Sequence, residues 1–328
     1  MLLLLLAASI CAALCIGSVP LALRTVISAL ASPISHRACD PFAMSIVWQI
    51  RFPRVVLAGL IGASLAAAGL AIQALVRNDL AEPYTTGISA GSSVGAGLVI
   101  VLGLRAALGG LLLQFVAFFG GLAVLIFVYT SSKRGGRADV RSMLLVGVVA
   151  TAFLYAVQML LLRLANQNAQ QILGWLMGSL ADAKWRDCGI LAGFAVAGLA
   201  LLAGQAYAMN LFAVGETTAQ HLGLEVERFK GIVIFAATIL TAATVAVGGI
   251  IAFVGLVVPH ISRRLAGTPD HRLVLPTTVL CGALMMIWSD TIARTALGGD
   301  AIPVGVVTAF WGGPFFWYLL KRQAAPRR

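Results

Sequence analysis

Few side chains in this 328-residue sequence can do chemistry, and they are scattered. The four histidines, His36, His221, His260 and His271, are too dispersed for a metal site, and the five cysteines include no Cys-x-x-Cys pair. No Gly-Lys dipeptide occurs, so the phosphate-cradling loop Gly-x-x-x-x-Gly-Lys-Ser/Thr is missing. No paired carboxylates, Cys-His pairing or HExxH motif offers a nucleophile or an acid–base couple. What remains is isolated charge. Asp290 lies near the end of an apolar run, where an acid is a candidate relay group; an ion pair with Arg294, four residues on, is the simpler account. Arg51, Arg54 and Arg294 also fall at run ends. They either snorkel to lipid headgroups or form a basic patch that steers a carboxylate-bearing partner. Nothing here points to an enzyme.

The elements that position these residues are apolar. With 60% hydrophobic and 11% charged residues and a mean hydropathy of +0.97, the chain is no ordinary soluble domain. A membrane span takes roughly 20 apolar residues, which leaves room for about ten. The runs are 2–30, 54–76, 85–103, 107–130, 142–164, 187–208, 230–250, 251–266, 273–292 and 303–320. Residues 1–15 look like a signal-peptide core, but they lack a basic start and a cleavage site and read as part of the first membrane helix. Residues 172–177 suggest a short interfacial helix. Cys11, Cys15 and Cys281 read as packing residues, while Cys39 and Cys188 could both lie outside and pair.

The net charge of +11 is spread singly along the chain, unlike the gathered basic face of a nucleic-acid binder. Ten crossings place both ends on one side. With that side cytoplasmic, Arg77, the basic residues of 133–141, Arg228, Lys230, Arg263, Arg264, Arg272 and those of 321–328 are inside. They make up 14 of the 23 Lys and Arg, which moderately favours this orientation under the positive-inside rule. It also puts the long polar stretch 214–228 inside. There Ala219, Leu222 and Val226 recur at helical spacing and Gly223 can break the helix, which suggests two short helices joined at a glycine.

The order of residues in 248–272, GGIIAFVGLVVPHISRRLAGTPDHR, is more specific than its composition. Phe253-Val254-Gly255-Leu256, Pro259-His260, Arg263, Gly267 and Asp270-His271-Arg272 closely resemble the signature of the iron-siderophore, haem and cobalamin permeases. These FecCD-type proteins are membrane subunits of one class of bacterial ABC importer. The resemblance continues through Leu275-Pro276, Gly282-Ala283, Asp290, Ala293-Arg294, Pro303-Val304-Gly305, Thr308-Ala309 and Gly313-Pro314, and it covers 51–97 as well.

The resemblance implies an all-α polytopic fold of the type II ABC importer permeases, with 1–328 as a single transmembrane domain. It implies a homodimer in the bacterial inner membrane, both termini cytoplasmic, with two ATPase subunits inside and a periplasmic substrate-binding protein outside. ATP and Mg would bind those ATPases, with no cofactor or metal on this chain. Arg51, Arg54 and Arg294 would dock the binding protein. Gly215, Glu216, Ala219, Leu222, Gly223 and Leu224, within a coupling segment at about 211–228, would meet the ATPase. The turn Asn78-Asp79-Leu80 resembles the family's Asn-Pro-Leu cytoplasmic gate, represented here by Asn78 and Leu80. Asp79 replaces the proline, so the turn is either looser or held by a side-chain bond of the aspartate to the backbone. A second gate element near Asp139 and Val140 matches poorly. Tyr155, Gln158 and Met159 either face the pathway or pack. The expected cargo is an iron chelate, ferric siderophore first, with haem or cobalamin as the alternative. A secondary transporter driven by an ion gradient is the competing class, and it would need buried ionisable groups near the midplane.

Overall fold

The computed structural model describes residues 1–35, 40–105, 107–134, 137–297 and 301–324. The chain is helical almost throughout. Its helices are α1 (Leu2–Cys15), α2 (Leu23–Ser35), α3 (Pro41–Ser45), α4 (Phe52–Val76), α5 (Ile88–Val101), α6 (Leu111–Ser131) and α7 (Val140–Leu164). There follow α8 (Ala169–Leu176), α9 (Trp185–Val214), α10 (Glu216–His221), α11 (Val226–Gly248), α12 (Val254–Ala266), α13 (His271–Ala293) and α14 (Val304–Ala324). A π-helical stretch, Ile46–Arg51, joins α3 to α4 without a break. Two-residue strands β1 (Lys133–Arg134) and β2 (Arg137–Ala138) pair in the turn between α6 and α7.

Among the described residues, six helices are long and apolar enough to cross a membrane: Pro41–Val76, Leu111–Ser131, Val140–Leu164, Trp185–Val214, Val226–Gly248 and His271–Ala293. The expected first run of 2–30 is in fact two helices. Pro20 supplies no N–H, and Arg51 takes carbonyls of Leu14 and Cys15 that a continuing helix would use. The expected short interfacial helix is α8. Cys39 lies outside the described residues; Cys188 is buried and its thiol donates to the Pro53 carbonyl at 3.2 Å.

Helix α4 is the hub. Its most apolar stretch is 83% buried inside the chain, against 22% for α7. Lipid gives no hydrophobic drive for helix association, so close backbone approach has to supply it. The sequence provides for this with glycines facing glycines. A Cβ at Gly62 would lie 2.1 Å from the Gly282 carbonyl oxygen, and one at Gly69 would lie 1.9 Å from that of Gly255. These two contacts seat α4 against α13 and α12.

Helices α5 and α12 have 14 and 13 residues, about 20 Å each, short of a hydrocarbon core of about 30 Å. Irregular backbone completes both crossings, 77–87 before α5 and 249–253 before α12. Such backbone survives at depth only where its polar groups find partners inside the protein. The 77–87 backbone finds them mostly within its own turns, and its Glu82 and Tyr84 side chains serve Phe253 and Ile251 of the other segment.

Candidate functional site

The polar side chains collect at two ends of the bundle. At one end, Arg51, Arg54 and Arg294 are brought together, but their side chains turn inward. Arg51, 5% exposed, donates from Nη1 to the carbonyls of Leu14 (2.7 Å) and Cys15 (3.1 Å) and from Nη2 to Val19. Its guanidinium lies where a side chain at position 17 would be, so Gly17 is required there. Nη2 of Arg294 donates to the Ala13 carbonyl and to Thr291 Oγ1 at 3.3 Å. Together they cap the carbonyl end of α1, a cation's natural place on a helix. Arg54 grips Asp290: Nε and Nη2 each reach Oδ1 at 2.9 Å, and Nε reaches Oδ2 at 3.0 Å. The expected i,i+4 ion pair is present, with Arg294 Nε 3.9 Å from Asp290 Oδ2, but Arg54 is the closer partner. An interhelical fork wins over i,i+4 geometry because a guanidinium across the gap meets both carboxylate oxygens.

The opposite end carries the turn after α4. Asn78 Oδ1 accepts from the Leu80 N–H at 3.0 Å, closing the turn. Asp79 does not bond the backbone as one expectation had it; its Oδ1 pairs with Arg263 Nη1 at 3.1 Å. Arg263 also donates to Gln73 Oε1 at 2.9 Å, and Gln73 Nε2 donates to the carbonyls of Gly255 and Leu256, both at 3.3 Å. Further along, Glu82 Oε1 accepts the Phe253 N–H at 2.7 Å and the Tyr84 hydroxyl donates to the Ile251 carbonyl at 3.0 Å. Phe253 sits at φ +70°, a costly value for a side chain of its size, and Glu82 fixes it there. The turn and the start of α12 therefore form one bonded unit.

Beside it lies the 214–228 stretch. It forms one short helix, α10, and not two, because the residues after Gly223 run straight into α11. Gly215 (φ +143°) and Gly223 (φ +87°) bound α10 in conformations that favour glycine. Ala219 is buried at the base of α10, Leu222 is 61% exposed, and Leu224 packs at the rim of the core. Glu216 Oε1 pairs with Lys230 Nζ at 2.7 Å. Asp270 caps α13 by accepting the Arg272 N–H at 2.9 Å, and it accepts from Asn210 Nδ2 of α9 at 2.6 Å. The Arg272 and Asn210 hydrogen bonds hold its carboxyl well below the usual range.

On α7, Tyr155 is 62% exposed and Met159 partly so, while Gln158 is buried and has no hydrogen-bond partner for either amide atom among the described residues. Sequence reasoning missed Gln73, Glu82, Tyr84, Asn210 and Lys230. The available signal was a polar residue inside or beside an apolar run, which in lipid has to find a partner.

Comparison with known proteins decides the family. The model of the FecCD transport family matches residues 4–322. The chain belongs to the FecCD transport family. It is 39% identical over 286 residues to the uncharacterized ABC transporter permease YvrB of Bacillus subtilis, covering 87% of this chain and 81% of that one. It is 37% identical to the cobalamin import system permease BtuC of Halobacterium salinarum (93% and 80% covered) and 38% identical to the hemin transport system permease HmuU of Yersinia pestis (87% and 86%). A metal-chelate type ABC transporter solved in an inward-facing conformation superposes with a TM-score of 0.86 at 29% identity, over 98% of this chain and 97% of that one. PsaBC from Streptococcus pneumoniae, in complex with Fab, shares the fold at TM-score 0.59 and 17% identity (92% and 96% covered). This FecCD chain is thus a multi-pass membrane protein and the permease of an ABC importer, a transport protein with the type II permease fold. Its signature residues now have a structural account. Gly255 and Gly282 are helix contacts, Phe253 is the pinned entry to α12, Asp270 and His271 tie α13 to Asn210, and Asp290 anchors Arg54.

Proposed function

We propose that the cargo is a bulky metal chelate, with ferric siderophore the first to be tried. Haem and cobalamin, the cargoes for which relatives 38% and 37% identical are named, form the second reading. The observation that carries this is the near-complete superposition on a metal-chelate type transporter. The working unit is a homodimer in the inner membrane with both termini cytoplasmic, and 1–328 forms one permease domain. In support, α7 leaves most of its apolar length uncovered by its own chain and presents Tyr155 and Met159 there.

Two ATPase subunits, which carry ATP and Mg, dock at the α10 end on Gly215, Glu216, Ala219, Leu222, Gly223 and Leu224. Exposed Leu222 supplies an apolar contact, and buried Ala219 seats the helix. Asn78 and Leu80 form part of the cytoplasmic gate. A substrate-binding protein docks at the arginine end. Three arginines against one aspartate leave that end cationic, and such a field steers an acidic surface even from buried positions. ATP acts by binding and stabilising one facing of the pathway over the other. The test is ATP-dependent uptake of ferric siderophore, haem and cobalamin into proteoliposomes holding this chain with its ATPase and binding protein. Uptake of one chelate that requires both partners supports the reading. Uptake driven by an ion gradient without the ATPase overturns it.

A further inference from the structure

Lys230, on the first turn of α11, is 2% exposed, a rare condition for a lysine. All three of its N–H donors are matched. Nζ donates to Glu216 Oε1 at 2.7 Å, to the Ala138 carbonyl at 2.9 Å and to Glu227 Oε1 at 3.2 Å. The other oxygen of Glu227, Oε2, accepts the Ala138 N–H at 2.8 Å. Both backbone polar groups of Ala138 are therefore held by this one pair.

Two of the partners lie on other segments. Glu216 opens α10. Ala138 ends the β1–β2 turn and precedes Asp139, whose carboxylate caps α7 by accepting from the Arg141 N–H (3.1 Å) and the Ser142 hydroxyl (2.6 Å). Helix α7 in turn is the least buried of the six long apolar helices. Its first turn sets Met143 in the core, 1% exposed, so a displacement there passes into the helix.

We propose that Lys230 is the joint that carries displacement of α10 to α7, so that ATPase movement reaches the wall that Tyr155 and Met159 present. This rests on α10 being the ATPase-docking segment. Lys230 is a positioning residue and touches no cargo. It places two of its three donors on other segments, α10 and the backbone that leads into α7.

Removing the lysine strands no buried carboxylate. Glu216 and Glu227 are 45% and 39% exposed, so neither is left as a buried lone charge when the ammonium goes. The experiment uses the full permease–ATPase complex with its binding protein in proteoliposomes, measuring complex formation, ATP hydrolysis and chelate uptake together. Lys230→Met is expected to keep complex formation and hydrolysis within about twofold and to lower uptake per ATP about tenfold. Lys230→Arg, which preserves the charge and donors, is expected to restore at least half of it. Spin labels at His221 on α10 and Leu145 on α7 should hold their separation through the ATP cycle in the wild type and lose it in Lys230→Met. Equal loss of hydrolysis and uptake, or labels that stay coupled in the variant, would overturn the joint. If Lys230→Met fails to fold, Glu227→Ala, which takes the acceptor from the Ala138 N–H and one partner from Lys230 but leaves Glu216 in place, must lower uptake per ATP in the same direction. A wild-type chain that binds no ATPase removes the docking reading itself, and the joint with it.

Discussion

Removing the Asp290 carboxylate should be among the costliest single changes in the molecule. Asp290 is 1% exposed and Arg54 13%, and the two share three contacts between 2.9 and 3.0 Å. Asp290→Ala leaves Arg54 with no anion and Arg294 without its weaker one, and an uncompensated buried charge of this kind costs about 3–5 kcal/mol. That lowers the folded-to-unfolded ratio by more than two orders of magnitude. Replacing both partners, Arg54→Met with Asp290→Leu, exchanges the pair for apolar packing and should recover at least about 2 kcal/mol of the loss. Arg294 is retained in that variant through the Ala13 carbonyl and Thr291. The assay is unfolding by SDS in mixed micelles, followed by tryptophan fluorescence. Trp288 donates to Ser9 Oγ at 3.1 Å beside the cluster and reports locally. A single-variant cost below about 1 kcal/mol, or a double variant no better than the sum of the singles, refutes the claim that this is a buried, coupled pair. The double variant also separates the two roles given to Arg54. Restored stability with lost uptake assigns it to the binding protein as well as to the fold.

Three further outcomes follow from the same geometry. Gly69→Ala would place a Cβ 1.9 Å from the Gly255 carbonyl oxygen and should destabilise the chain by about 1–3 kcal/mol, whereas Gly204→Ala, in open space, should stabilise it by about 0.5 kcal/mol in the same unfolding assay. Asp79→Asn removes an ion pair whose acid is 53% exposed, so its cost should be below about 1 kcal/mol and vanish in high salt; Arg263→Met also releases Gln73 and should cost more under all conditions. Asp270 has a depressed carboxyl pKa, so its stabilisation is present above the ordinary value of about 3.9 and is lost as pH falls through the lower folded value. Unfolding titrations from pH 7 to 2 should therefore show no Asp270-dependent change in wild-type stability above about pH 5, and a loss only in stronger acid.

Most of the architecture was legible because lipid imposes a simple rule: apolar runs of sufficient length are helices. The runs at 107–130, 142–164, 187–208 and 273–292 match α6, α7, α9 and α13 within a few residues. The first run failed because the break between α1 and α2 depends on Arg51, more than 30 residues away, taking the carbonyls of α1. No local pattern contains that information. For the same reason only the weaker partner of Asp290 was legible: the i,i+4 pair with Arg294 is visible in a sequence, and the contact with Arg54, 236 residues distant, is not. Asp79 shows a subtler limit. Its departure from the family turn was readable, but its compensation lies in Arg263, on a helix that reaches the turn only in the folded chain.

The clamp on α1 also has a bearing on how the chain is built in the membrane. The carbonyl end of this helix is finished by Arg51 and by Arg294, the latter 281 residues after the Ala13 carbonyl it serves. Until α13 arrives, the Ala13 carbonyl lacks this donor, and at 14 residues α1 is short for a stable span on its own. Helix α1 is thus made well before its last donor and is locked late. A nascent chain stalled before Arg294 should leave the last turn of α1, around Ala13, open to hydrogen exchange, and extension past that residue should protect it.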